Sequence, residues 1–222
     1  IQMYEIKEKQ YFSNIRYDLL KLIPKNNKGG HILEIGAGSG DTLMYAKKNS
    51  YADKITGIEL MEMSNSYQQS EEFDNFMIGN IEELTLEFKA ESFDVIIFGD
   101  VLEHLINPYD ILEKLKPYLK GNGVIIASIP NIRYFNVLKE IIFFGDFKYT
   151  DSGILDKTHL RFFCKKNMID MFHNADYSVI KVMGSIKISG MRPKLNFLNK
   201  ITFRIFEDFF NEQYFLVVEK NG

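Results

Sequence analysis

At 222 residues, with 45% hydrophobic and 26% charged, the chain is long enough for one sizeable core and has a globular composition. A net charge of −3 without a long basic run excludes a nucleic-acid backbone as the expected partner, and no apolar run approaches the roughly 20 residues that cross a bilayer. The single cysteine, Cys164, excludes an internal disulfide and a multi-cysteine metal site; with the charged start "IQMYEIKEKQ" it fits a cytoplasmic protein rather than a secreted one.

In chain order, "EKQYFSNIRYDLLKLIP" reads as a leading helix within an N-terminal helical segment, residues 1–30. "HILEIG" is a first strand, and a helix starts near Asp41. "KITGIEL" is a second strand, with a helix expected over 61–70, and "FMIG" is a short third. "FDVIIFGD" is apolar through its middle, as in a strand covered on both faces. Pro108 suits the first turn of the helix "YDILEKLKPYL", with Asn107 as its cap. "GNG" is a turn and "VIIASIP" a fifth strand, closing a core over 31–130. The alternation of strand and helix predicts one α/β domain over 1–222. Residues 131–163 and 184–212 break the pattern and read as insertions over the substrate. Between them lie a helix, "KKNMIDMFHNA", and a strand, "YSVIKVMG"; "QYFLVVEK" is the last strand. In the second insertion, Leu195, Leu198, Ile201, Ile205 and Phe209 are spaced for one face of a helix, a packed cover, a homodimer contact or a membrane-surface element; Lys194, Lys200 and Arg204 are too few for a strong basic face, which favours the first two.

The sequence at 32–40, "ILEIGAGSG", runs a strand into glycines. Glycine there permits a tight turn and close approach of backbone to a ligand, and the next helix offers free N–H groups. A dinucleotide fingerprint has its third glycine five residues after the first. Here Asp41 holds that place and the spacing is Gly36, Gly38, Gly40. An aspartate opening the helix repels a pyrophosphate but not a ligand with a positive centre. Glu59, at the tip of the second strand, can accept both hydroxyls of a ribose. Asn80, in "GNIEEL", is either a helix cap or, with the Ile81 amide, an adenine contact.

These motifs resemble the class I S-adenosylmethionine-dependent methyltransferases. "LEIGAGSG" is similar to the first motif of that family, "GIEL" to its ribose motif, and "FDVIIFGDVLEHLINPYDILEKLKPYLKGNGVIIASIPN" to its fourth-to-fifth strand block in the small-molecule branch. The resemblance implies S-adenosyl-L-methionine as cofactor. It implies a doubly wound seven-stranded α/β sheet, order 3-2-1-4-5-7-6, with the last strand antiparallel, helices on both faces and a lid insertion. It implies cofactor contacts from Glu34, Gly36, Ala37, Gly38, Gly40, Glu59, Leu60, Asn80, Ile81 and Asp100. Asn80 stands where the family often has aspartate.

"GDVLEHL" places Asp100, Glu103 and His104 at the carboxyl end of the central strand. They form a cofactor and substrate floor, a general base at His104, or a metal site; the reading adopted has no metal. "NPY" at 107–109 sits too far past the strand for the N-P-P-Y box of nucleic-acid amino methyltransferases. The segment "FFGDFKYTDSGILDKTHLRFF" mixes aromatic rings with titratable groups and is similar to methyltransferases of polysaccharide and sugar-nucleotide pathways, more distantly to the "T-H" segment of quinone-pathway O-methyltransferases. From it the expected base is His159, oriented by Asp156, with Tyr149 and Arg161 holding the acceptor and Gly145 and Gly153 letting the segment close. The expected reaction is methyl transfer to a hydroxyl of a sugar or glycan precursor. The alternatives are a phenolic or quinone-like acceptor and a non-catalytic partner module of the same fold.

Overall fold

The computed structural model describes residues 15–185 and 206–221. Residues 1–14, which hold the start of the expected leading helix, and 186–205, which hold most of the expected aromatic helix, lie outside the described residues. Strands β1 (Gly30–Ile35), β2 (Ala52–Glu59), β3 (Asn75–Ile78), β4 (Phe93–Gly99), β5 (Leu119–Pro130), β6 (Tyr177–Gly184) and β7 (Gln213–Lys220) form one sheet in the order β3-β2-β1-β4-β5-β7-β6. β1 to β5 pair in parallel, and β7 runs antiparallel to both β5 and β6. This is the expected topology. The helical elements are α1 (Tyr17–Leu20), α2 (Asp41–Lys48), α3 (Pro108–Leu115), α4 (Phe135–Lys139), α5 (Lys165–Asn174) and α6 (Glu207–Phe210). A π-turn, Glu140–Phe144, continues α4.

The sheet is apolar on both faces, so its central strands need no polar alternation. Along β4, Val95 and Ile97 join one core cluster while Ile96 and Phe98 join the other. β5 repeats this with Val124 and Ile126 against Ile125 and Ala127. A side-chain period of two thus fills two layers from one strand.

Three local expectations change. Residues 61–70 form turns rather than a helix. Their polar side chains take the backbone groups a helix would need: Ser66 Oγ donates to Met63 O, and Gln68 accepts from Met63 N–H while donating to Gly38 O and Met61 O. Asn65 adopts φ 57°, outside helical space. The "GNG" sequence is carried inside β5, where the register jumps from Phe93↔Leu119 to Val95↔Val124. Asn107 precedes α3 without a side-chain cap bond; its N–H donates to Glu82 Oε1 at 2.9 Å.

Candidate active site

A cavity of about 600 Å³ opens at the carboxyl ends of β1, β2 and β4, where ligands bind in open α/β sheets. Gly36 and Gly38 line it, and Gly40, also expected there, closes the same turn outside the wall, against Phe73 and Tyr67; the three stand at φ 71°, 55° and 86°. At Gly36 a side chain is excluded twice, because an added Cβ would also stand 2.5 Å from Val101 Cγ2. The turn is fastened to β2 through Glu59. Its Oε2 accepts the Gly38 N–H at 2.7 Å and its Oε1 the Leu60 N–H at 2.7 Å. The Met61 N–H adds a third backbone bond to this carboxylate, which lines the cavity. Burial raises the Glu59 pKa, against the backbone amides that hold it down.

Glu34, beside it on β1, is 3% exposed, and its Oε2 has no hydrogen-bond partner. Burial pushes its pKa to about 8; Arg16 opposes the rise and Glu59 adds to it. A buried, orphaned carboxylate oxygen in a cavity wall is a place for a cation. Arg16 comes from the residue before α1. It donates to Asp100 Oδ2 at 2.7 Å, to Ser128 Oγ at 3.0 Å and to both oxygens of Asp18. Burial pulls its pKa down, but Asp100 and Asp18 outweigh that and hold it above the ordinary value. It is the single Lys or Arg side chain among the described residues of the wall, facing Glu34, Asp41, Glu59, Glu82 and Asp100. Such a wall fits a ligand that brings positive charge and one carboxylate.

Ala37, Leu60 and Ile81 complete the wall near the glycine turn. Asn80 lines it too, while its Oδ1 accepts the Glu82 N–H at 3.0 Å and closes the next turn. Asp100, at φ 57°, is held by Arg16, by Ser128 Oγ at 3.0 Å and by Gln213 Nε2.

His104 stands at the far end of the cavity with Leu105, Ile106 and Leu160. Its Nδ1 lies 3.0 Å from Thr158 O, which places the proton on Nδ1 and the basic lone pair on Nε2. The other expected catalytic and acceptor residues lie elsewhere. His159 is 6% exposed, with Nδ1 2.9 Å from Ile154 O, and its ring packs edge-on behind His104 at 4.7 Å. Asp156 Oδ1 accepts from Thr158 N–H at 2.9 Å and from Thr158 Oγ1 at 2.7 Å, pinning the turn. Tyr149 sits with Phe147 and Phe162 in an outer aromatic group. Arg161 Nε donates to Ile106 O at 3.0 Å. None of these four side chains belongs to the cavity wall. Sequence reasoning missed Arg16, Leu160 and Gln213. Arg16 precedes the first strand and carries no local motif. Gln213 was open to inference, since the order 4-5-7 sets the start of β7 beside the ends of β4 and β5.

A methyltransferase-domain family matches residues 8–182. This chain belongs to that family. The sheet order is that of the S-adenosylmethionine-dependent methyltransferase fold, shared with a protein from Listeria monocytogenes at TM-score 0.62 and 15% identity, over 91% of this chain and 95% of that one. The 1,6-didemethyltoxoflavin-N1-methyltransferase of Burkholderia thailandensis, solved with bound S-adenosylhomocysteine, aligns at TM-score 0.61 and 14% identity over 93% of this chain and 78% of that one. The ubiquinone biosynthesis O-methyltransferase of Coxiella burnetii is 27% identical over 120 residues, 52% of this chain and 50% of the relative. The chain thus spans about half the length of the curated relatives it matches. For a methyltransferase of this fold, the wall fits S-adenosylmethionine. Its sulfonium and ammonium suit the acidic side chains, and its carboxylate suits Arg16.

Proposed function

We propose that the chain transfers the methyl group of S-adenosylmethionine to a hydroxyl of an aromatic small molecule. In this reading Glu59 accepts the ribose hydroxyls and Asn80 with Ile81 borders the adenine. Glu34 and Arg16 hold the charged end, with the glycine turn giving close backbone approach. The sulfonium supplies an already activated methyl carbon, so the protein's work is alignment and proton removal. As the acceptor oxygen bonds the methyl carbon and the sulfur–carbon bond breaks, the O–H proton passes to Nε2 of His104. The sulfonium charge leaves as a neutral thioether, and the proton ends on the imidazole.

The observation that carries the acceptor class is the composition of the far wall. His104 is flanked there by Leu105, Ile106 and Leu160, while Asp156, Tyr149 and Arg161 engage other partners. An apolar rim, with Leu105 buried and Ile106 and Leu160 exposed, beside one imidazole suits a flat ring bearing an acidic hydroxyl better than a sugar, whose hydroxyls need several polar partners. A phenol of pKa about 10 is also within closer reach of an imidazole than an alcohol is. The relatives named for ubiquinone biosynthesis act as O-methyltransferases by their name, which supports the same reading.

The test is incubation with methyl-labelled S-adenosylmethionine against a panel of catechols and phenols and a panel of sugars and nucleotide sugars. Product ethers are read by mass spectrometry. Methylation of an aromatic hydroxyl is expected, with His104→Gln lowering turnover about 10²–10⁴-fold at unchanged S-adenosylhomocysteine affinity. Turnover confined to the sugar panel overturns the acceptor class. Cofactor binding without turnover on either panel returns the chain to a binding module.

A further inference from the structure

Behind the cavity wall, Glu103 is 1% exposed, and neither of its carboxylate oxygens has a hydrogen-bond partner. Buried carboxylates are ordinarily paired or bound to an ion. Two imidazoles stand beside it. His159 Nε2 is 3.9 Å from Glu103 Oε1, and the His104 ring packs on that of His159. The ligand atoms of Glu103, His104 and His159 all lie within 4.8 Å of one another. In both histidines Nδ1 is set against a backbone carbonyl, Thr158 O for His104 and Ile154 O for His159. That outer contact fixes the tautomer in which Nε2 carries the lone pair, and metal-binding histidines are oriented in the same way.

The backbone holds this arrangement from two directions. Leu160 N–H and Arg161 N–H both donate to Glu103 O, at 2.9 and 3.0 Å, so the 158–161 stretch is clipped to the Leu102–His104 turn. Of the two other acids that act on Glu103, Asp100 is drawn away by Arg16, Ser128 and Gln213, and Asp156 is engaged by Thr158.

We infer that Glu103, His104 and His159 form a site for a divalent transition ion of the zinc class. Two imidazoles and one carboxylate are a donor set suited to such an ion. Donors around a tetrahedral ion at about 2.0–2.1 Å stand roughly 3.4 Å apart. The Glu103–His159 pair, at 3.9 Å, is near that spacing, and no pair of the three exceeds 4.8 Å. Of the three, His104 lines the cavity, which gives the ion its entry path. The inference goes beyond methyl transfer and does not rest on the acceptor. It does bear on the base, because an ion and a proton compete for Nε2 of His104.

The experiment uses tag-free protein stripped with a chelator and titrated with Co²⁺, read by its visible d–d absorption. One saturable site per chain with intense, tetrahedral-type bands is expected. Glu103→Gln and His159→Gln should each weaken binding at least tenfold, and Asp100→Asn should leave it unchanged. Melting temperature and S-adenosylhomocysteine affinity show whether each variant folds. If the buried positions do not tolerate change, His104→Gln, at the half-buried wall, decides. Absence of saturable Co²⁺ binding by the wild type overturns the site, as does equal binding by a folded Glu103 or His104 variant. Loss of binding in a folded Asp100→Asn protein overturns this ligand set. No methyl acceptor enters the measurement, so its failure is separate from failure of the methyl-transfer reading.

Discussion

Glu34 and Arg16 show how single side chains reveal a ligand's charge. Burial raises the Glu34 pKa from 4.5 to about 8. Between those values the native state holds a proton that the unfolded chain does not, so this residue's contribution makes stability fall as pH rises across that window. Glu34→Gln should therefore flatten the pH dependence of the apo melting temperature between about 5 and 8. A cation placed beside Glu34 favours its charged form, so binding S-adenosylmethionine near neutral pH should release protons. Calorimetry in buffers of different ionisation enthalpy measures that release, and it should shrink in Glu34→Gln. An unchanged release would remove Glu34 from the charged end of the site. Arg16 is held by Asp100, Asp18 and Ser128 before any ligand arrives, so its guanidinium is already oriented. Arg16→Ala should weaken S-adenosylhomocysteine binding about 10–10²-fold, the scale of one charge-assisted hydrogen bond of ~1.5–3 kcal/mol.

At the scale of elements, the stretch from Thr150 to Phe163 acts as a strap across the cavity rim. Its turn is pinned by the bonds from Thr158 to Asp156, and its end is fastened by Arg161 to Ile106 O. Asp156 is 1% exposed, so removing its carboxylate strands a buried amide and hydroxyl. Asp156→Ala should cost about 2–5 kcal/mol of stability in urea unfolding, two bonds to a charged acceptor being lost. Arg161→Ala removes an exposed clasp. It should change global stability by less than about 1 kcal/mol and speed hydrogen exchange at 105–107 and 158–163. Equal exchange in both proteins would show that the backbone bonds to Glu103 O carry the strap alone. The residue types of this strap were legible in the sequence, but their destinations were not. Aspartate, tyrosine, histidine and arginine beside aromatic rings read as a polar acceptor site. In the fold those groups brace the strap, and Leu160 is the side chain that reaches the cavity.

Over the whole molecule, one sheet carries two cores, and this makes the cofactor cavity a property of the global fold. Ile96 and Ile97 are adjacent and fully buried on opposite faces of β4. Each truncated to Ala should cost about 2–5 kcal/mol. Both variants should still unfold in a single transition, with S-adenosylhomocysteine raising the midpoint in each. A two-step transition in either would show that the faces fold separately. Strand-helix alternation in the sequence determined an α/β domain with a parallel sheet, and the motifs that resemble class I methyltransferases supplied the strand order. The sequence by itself also determined the β1 and β2 ends of the cavity, because Gly36, Gly38, Gly40 and Glu59 are set by positions local to one βαβ unit. The helix expected over 61–70 failed because side-chain hydrogen bonds, unlike apolar periodicity, depend on which backbone groups come within reach. Tertiary structure alone decided the rest. Arg16 meets Asp100 across 84 positions of sequence, and Gln213 meets it across 113. The positions of His104 and His159 relative to Glu103 follow from how the strap crosses the Leu102–His104 turn. No local pattern encodes such pairings, because their energy comes from desolvated charges that become neighbours only when the sheet and strap have packed.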